Sequence, residues 1–144
     1  MRLLLILALT LALAGCGLFR PMGSWVELTS DADSGPLSDA IVVFVAQSVP
    51  TAASTIAIAD LPAEQGGSRL SVEVREKLIS RGYRPEVGDA GVHRLRYLVT
   101  RYGERILLRV TVNDTEASVL FARDSAGALR ADTPLTMRQL RKIL

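Results

Sequence analysis

One cysteine and one histidine occur in the whole chain, and that scarcity removes several classes of chemistry. A disulfide needs two thiols, so Cys16 alone leaves the fold to be held by packing. Zinc clusters of the His/Cys type are excluded on the same count, and no metal is expected; His93 reads as a solvated residue at the start of a strand. The sequence also lacks a G-x-S-x-G elbow, a Walker A loop, an H-E-x-x-H helix and a G-x-G-x-x-G turn. Gly66-Gly67-Ser68 precedes a helix without the lysine of a phosphate loop, and so reads as a cap. Asp60 and Glu64 flank Pro62 with nothing nearby in sequence to tune their acidity. No enzymatic activity and no cofactor other than a covalent lipid are therefore expected. With 17 basic against 15 acidic residues, bulk charge gives no reason to expect a nucleic-acid partner.

Long apolar runs are also few, and the one that stands out is at the start. Arg2 precedes an apolar stretch from Leu3 to Leu13 that ends in Leu13-Ala14-Gly15-Cys16. A charged end, an apolar stretch too short for a permanent span and small residues before the unique cysteine make a lipobox. Leu13, Ala14 and Gly15 form the recognition site, residues 1–15 are the signal peptide, and Cys16 is the residue acylated. The competing reading is a plain secretory signal ending near Ala12-Leu13-Ala14 with Cys16 left as a free thiol; Ala14 and Gly15 directly before the cysteine favour lipidation. A diacylglycerol thioether plus an N-terminal acyl chain anchors a protein to a bilayer without spanning it. Gly17 follows, where an aspartate would signal inner-membrane retention, so the expected location is the periplasmic face of a Gram-negative outer membrane.

The remaining residues suffice for one domain and are too few for two. Residues 16–36 carry Pro21, Gly23, Gly35 and Pro36 with a polar run and no sustained period, and are read as a lipidated flexible tether. Trp25 and Val26 interrupt it, as an interfacial anchor, a strand docking on the domain or a contact for a partner. The domain is expected over 37–130. Within it, apolar residues at 37, 41, 44, 45 and 48 or 49 predict a helix near 37–49, although the cluster Ile41-Val42-Val43 argues for a strand. Leu70, Val74 and Leu78 behind Ser68, with Gly82 after Arg81, predict a second near 68–81. Residues 131–144 form a tail that is either a short helix begun by Thr133-Pro134 or a segment that orders on a partner.

Strands are expected near 55–59, 83–87, 93–102, 105–113 and 116–123. A two-residue Gly103-Glu104 turn of type II′ sets a register in which Leu95, Tyr97 and Val99 share a face with Ile106, Leu108, Val110 and Val112. A second turn around Asp114-Thr115 adds Ala117, Val119 and Phe121. The fold class that follows is α+β, a two-layer sandwich of a mainly antiparallel sheet packed on two helices.

The same register predicts an opposite face that a solvated sheet would not have. Leu98, Leu107 and Leu120 lie near its centre, with Arg94, Arg96, Arg105 and Arg109 around them. An apolar centre rimmed by arginine is the composition of a protein contact surface. Three explanations stand: a partner protein binds there, the segment around Trp25 or the C-terminal tail covers the leucines, or the arginines meet anionic lipid, against which count the zwitterionic lipid of the inner leaflet and the lack of a charge run.

Several short passages, in this order, resemble one family. They are the lipobox, Asp39-Ala40 opening a first helix, the Val49-to-Thr55 passage into a strand and the Leu78-Ile79-Ser80-Arg81-Gly82-Tyr83 helix end. Leu95-Arg96-Tyr97-Leu98, Leu107-Leu108-Arg109-Val110-Thr111, Leu120-Phe121-Ala122-Arg123 and Gly127-Ala128-Leu129 follow. The sequence so resembles the TrbH family, small lipoproteins encoded among mating-pair-formation genes. The resemblance implies a structural component of a conjugative type IV secretion apparatus, anchored by its lipid and contacting protein subunits of an envelope-spanning complex. It assigns no active-site residue beyond the lipobox cysteine. An alternative of a different class is a periplasmic auxiliary of a transporter, binding a lipid or hydrophobic solute between sheet and helices.

Overall fold

Two hairpin turns and two helix caps dictate most of the architecture. In the computed structural model, which describes residues 23–28, 30–63, 65, 68–88 and 91–140, the chain runs β1 (Trp25–Val26), a 3-10 turn (Asp31–Asp33), α1 (Ser34–Ser48), β2 (Thr55–Ile58), α2 (Arg69–Ser80), β3 (Arg84–Val87) and β4 (His93–Tyr102), followed by β5 (Arg105–Val112), β6 (Thr115–Arg123), β7 (Leu129–Ala131) and β8 (Thr136–Gln139). The expected signal peptide and lipobox, with Cys16, lie outside the described residues.

The meander β4-β5-β6 is the centre of the sheet. Gly103 takes φ +63° and Tyr102 pairs with Arg105, as a two-residue turn requires. The second turn centres on Asn113-Asp114, one residue before the expected place: Asn113 has φ +54°, and Val112 pairs with Thr115. Asparagine tolerates this left-handed conformation because its side chain bonds locally. Its Oδ1 accepts the Arg94 N–H at 2.9 Å. The register puts Leu95, Tyr97, Val99, Ile106, Leu108, Val110, Val112, Ala117, Val119 and Phe121 on one face, and all ten are buried.

Both helices cover that face. α1 begins a turn earlier than its apolar period predicts, because Pro36 falls in the first turn, where its missing N–H is not needed. Leu37, Ile41, Phe44 and Val45 point inward, and the helix stops where Val49 turns extended ahead of Pro50. Ser68 caps α2 by accepting the Ser71 N–H at 3.3 Å. At its other end Gly82, at φ +87°, lets the Gly82 and Tyr83 N–H groups reach Ile79 O and Leu78 O. The Tyr83 hydroxyl then donates to Val49 O at 2.8 Å and ties the two helix ends together. On the solvent side, Lys77 Nζ donates to Ser38 Oγ at 2.7 Å and to Asp39 Oδ1 at 2.6 Å. Hydrogen bonding from Arg69 holds the neighbouring Glu73 carboxyl below its ordinary pKa, with Ser38 adding to the effect.

The α+β expectation stands: among the described residues, two helices lie on an eight-stranded sheet. The sheet is mixed: β1 and β2 run parallel to β4, and β3 parallel to β2, while the other four pairings are antiparallel. Strands joined through helices return in the same direction, whereas those joined by two-residue turns must reverse.

Two further expectations are corrected. Of the tether expected over 16–36, the described residues 23–28 and 30–36 are built into the domain, with Trp25 and Val26 as the docking strand that was one of their readings. β1 docks along β4, Ser24 Oγ accepts the Tyr97 N–H at 3.3 Å, the Val26 N–H donates to Gln65 Oε1 at 2.8 Å, and Ser24, Val26, Asp33 and Ser34 are buried. Asp33 is held by two hydrogen bonds from Arg123, at 2.9 and 2.8 Å. The tail is not a helix, because β8 pairs with β6 beyond a bulge in which Asp132 and Thr133 both donate to Leu120 O. Pro134 sits in that break, where no ladder N–H is required.

Tyr97 gives the core a pH signature. The residue is 1% exposed, and burial pushes its phenol up to about 12, against a smaller opposing effect of the Arg75 charge. A raised folded-state pKa contributes stability that is complete below the unfolded value near 10 and is lost as pH rises through 12. Urea unfolding across that window is expected to show a loss of about 2–3 kcal/mol. Most of the loss disappears in Tyr97→Phe; the remainder belongs to Tyr83, whose phenol burial also raises.

A candidate interaction face

The face of the meander turned away from the helices carries every residue that register alone assigned to it. Arg94, Arg96 and Leu98 project from β4, Arg105, Leu107 and Arg109 from β5, and Leu120 from β6. Leu98 pairs with Arg109, Thr100 with Leu107, and Leu107 in turn with Leu120. The three leucines are half-buried, Arg94 and Arg105 are exposed, and Arg96 and Arg109 lie between. Arg105 meets Asp132 at 3.2 Å. A polar row bounds the apolar centre on one side, where Arg96 pairs with Thr111, Thr111 with Glu116, and Glu116 with Arg138 across a 2.6 Å ion pair.

The segments expected to cover the leucines flank them instead. β1 sets Trp25 opposite Leu98 and Val26 opposite Val99, so the pair splits: Val26 enters the core while Trp25, 43% exposed, joins the outer face. At the other margin, β8 sets Thr136 opposite Ser118, and Thr133 Oγ1 accepts the Leu120 N–H at 3.0 Å. Among the described residues, a lesser groove lies at Arg94 and Arg96, and two adjoining grooves open beside the leucines. The larger, of about 540 Å³, is bounded by Trp25, Leu61, Pro62, Leu98, Thr100 and Arg109. The smaller, of about 290 Å³, lies over Tyr102, Leu107, Ser118, Leu120, Thr133 and Thr136. Tyr102 is 71% exposed at its rim.

Close backbone approach fixes the larger groove. Gly23 packs so near the Asp60 carbonyl that a Cβ would stand 2.6 Å from its oxygen, and the Ser24 N–H donates to that oxygen at 2.9 Å. The Asp60-Leu61-Pro62 turn is thereby clamped beside β1 and supplies one apolar wall. Sequence reasoning missed this wall, and the signal available for it was slight: a single out-in alternation at Trp25-Val26 and an apolar pair after β2.

Other candidates fall elsewhere. His93 lies half-buried at the start of β4, its Nδ1 3.3 Å from Asn113 Nδ2. Among the described residues, no three His, Cys, Asp or Glu side chains gather as metal ligands, and no helix is long and apolar enough to cross a membrane. Ser68 serves as the cap of α2, while Glu64, Gly66 and Gly67 lie outside the described residues. Comparison with family models, curated proteins and solved structures finds no match to this chain.

Proposed function

We propose that this protein is an outer-membrane lipoprotein that serves as a structural, non-enzymatic component of a conjugative type IV secretion apparatus. The observation that carries the reading is the pairing of Leu13-Ala14-Gly15-Cys16 with an open apolar sheet face that begins a few residues later. A lipid on Cys16 holds the domain at the periplasmic surface, and the face rimmed by Arg94, Arg96, Arg105 and Arg109 supplies the contact. The assignment to conjugation rests on the resemblance of the sequence motifs to the TrbH family. The half of the face around Tyr102, Leu107 and Leu120, next to β8, suits a protein subunit because it joins apolar side chains to a strand edge that pairs with no other strand among the described residues.

Affinity purification from detergent-solubilised envelopes tests this reading. Subunits of an envelope-spanning secretion complex are expected to co-elute with the wild-type chain, and to drop at least about tenfold in Leu107→Asp/Leu120→Asp, a loss of about 1.4 kcal/mol or more in affinity. Co-elution unchanged by both charges would remove the face from the contact. The larger groove favours a second reading, a transporter auxiliary that binds a lipid or hydrophobic solute, on the sheet face away from the helices rather than between sheet and helices, since its volume falls within the range of small-ligand sites. A transporter permease in the eluate, in place of secretion subunits, would favour it.

A further inference from the structure

The larger groove lies where the chain enters the fold, and that placement bears on what occupies it. From Cys16 to Gly23 the backbone spans at most about 25 Å. Gly23 and Ser24 themselves line the groove. A lipid on Cys16 thus holds this part of the domain within one short segment of the bilayer, while the helix layer, with Asp39, Arg69, Glu73 and Lys77 at its surface, lies on the other side of the sheet.

The side chains around the groove suit a phospholipid surface. Trp25, the sole tryptophan, is half exposed on a rigid strand rather than on a loose linker, and an amphipathic indole settles at the headgroup level of a membrane. Leu61, Pro62 and Leu98 give an apolar floor beside it, and the lining includes one base, Arg109, and one acid, Asp60. A base and an acid at the same lining suit a zwitterionic headgroup.

We propose that the groove formed by β1, the Asp60-Leu61-Pro62 turn and β4 rests on the phospholipid surface that holds the Cys16 lipid, with Trp25 at the interface. The proposal rests on lipidation of Cys16. It narrows the protein contact of the proposed function to the half of the face around Arg105, Leu107 and Leu120, toward β8, and gives Leu98 and Arg109 to the membrane. The domain then has a fixed orientation, with β1 at the membrane and β8 at the margin of the contact surface.

Trp25 is its own probe. The mature lipoprotein is reconstituted into vesicles of phosphatidylcholine and phosphatidylethanolamine, either plain or with bromine on the acyl chains. Brominated lipid is expected to quench Trp25 emission several-fold, most strongly with bromine near the headgroup, while acrylamide quenches it poorly. Leu98→Asp, which places a carboxylate in the groove floor, is expected to restore acrylamide quenching and abolish the bromine effect. Leu98→Ala is expected to behave as wild type, which separates a charge effect from loss of fold. Emission indifferent to bromine and fully open to acrylamide would overturn the proposal, as would protection that arises only when envelope proteins are added. The mass of the N-terminal peptide and co-sedimentation with vesicles are read on the same sample. An unmodified Cys16 would overturn the anchoring reading and this proposal together, whereas a lipidated, sedimenting protein with an accessible Trp25 overturns the orientation alone.

Discussion

Replacing Cys16 with serine is expected to move the protein out of the outer-membrane fraction. The modification forms a thioether, which needs a sulfur nucleophile that serine does not provide. Without the lipid the leader stays uncleaved, so the product is a precursor still carrying residues 1–15. Each buried methylene contributes about 0.8 kcal/mol, and stable anchoring takes more than one chain. No helix among the described residues offers a substitute span. Fractionation of envelopes and intact mass measure the outcome, and conjugation frequency should fall with the loss of anchoring. A Cys16→Ser protein that stays in the outer membrane and supports normal transfer would show that the cysteine does not set its location.

The largest loss of stability is expected from Phe44→Ala. Phe44 is 0% exposed and packs from α1 against the sheet, whereas its neighbour Val43 is 40% exposed. Truncating a buried phenylalanine costs about 3–5 kcal/mol, the lost transfer energy plus the cavity left behind. Stability for a domain of this size is about 5–15 kcal/mol, so the variant loses a large part of it. Val43→Ala should remain within about 0.5 kcal/mol of wild type. Urea titration measures both, with the midpoint falling for Phe44→Ala and the slope holding for each. Equal effects of the two substitutions would mean that α1 presents a different side to the sheet.

The parts of the fold legible in the sequence are those whose signal is local and repeated. The meander declares itself through ten inward positions at period two and a glycine turn that fixes their alignment. α2 does so through Ser68 at one end and Gly82 at the other. The Ile41-Val42-Val43 cluster settles as helix because Ile41 and Val42 both find core neighbours while Val43 tolerates solvent. β1 was one of three readings of Trp25-Val26 and no more, because two residues have no period and its docking depends on Gln65 and Ser24, distant in sequence from the strands they hold. β8 was illegible for the opposite reason. All four of its residues are exposed, so nothing alternates, and Thr133-Pro134 imitates a helix start while in fact capping a bulge. The parallel pairings are a property of order and crossover, which no short window contains.

The candidate site divides in the same way. Cys16 and its preceding residues are a contiguous motif, and the Leu98, Leu107 and Leu120 face follows from register alone. The larger groove required Leu61 and Pro62 to come up beside Trp25, an event set by the Gly23 contact with the Asp60 carbonyl.

Because the chain enters through β1, which lies parallel to a central strand, the molecule has a defined mechanical path. Tension between a bilayer anchor and a docked neighbour would act on the hydrogen bonds of Ser24, Val26 and Glu27 and pass directly into the β4-β5-β6 unit. α1 follows β1 in the chain, so under pull the short entry strand would yield first, drawing Val26 out of the core and then loading the Asp33 and Arg123 pair that precedes α1.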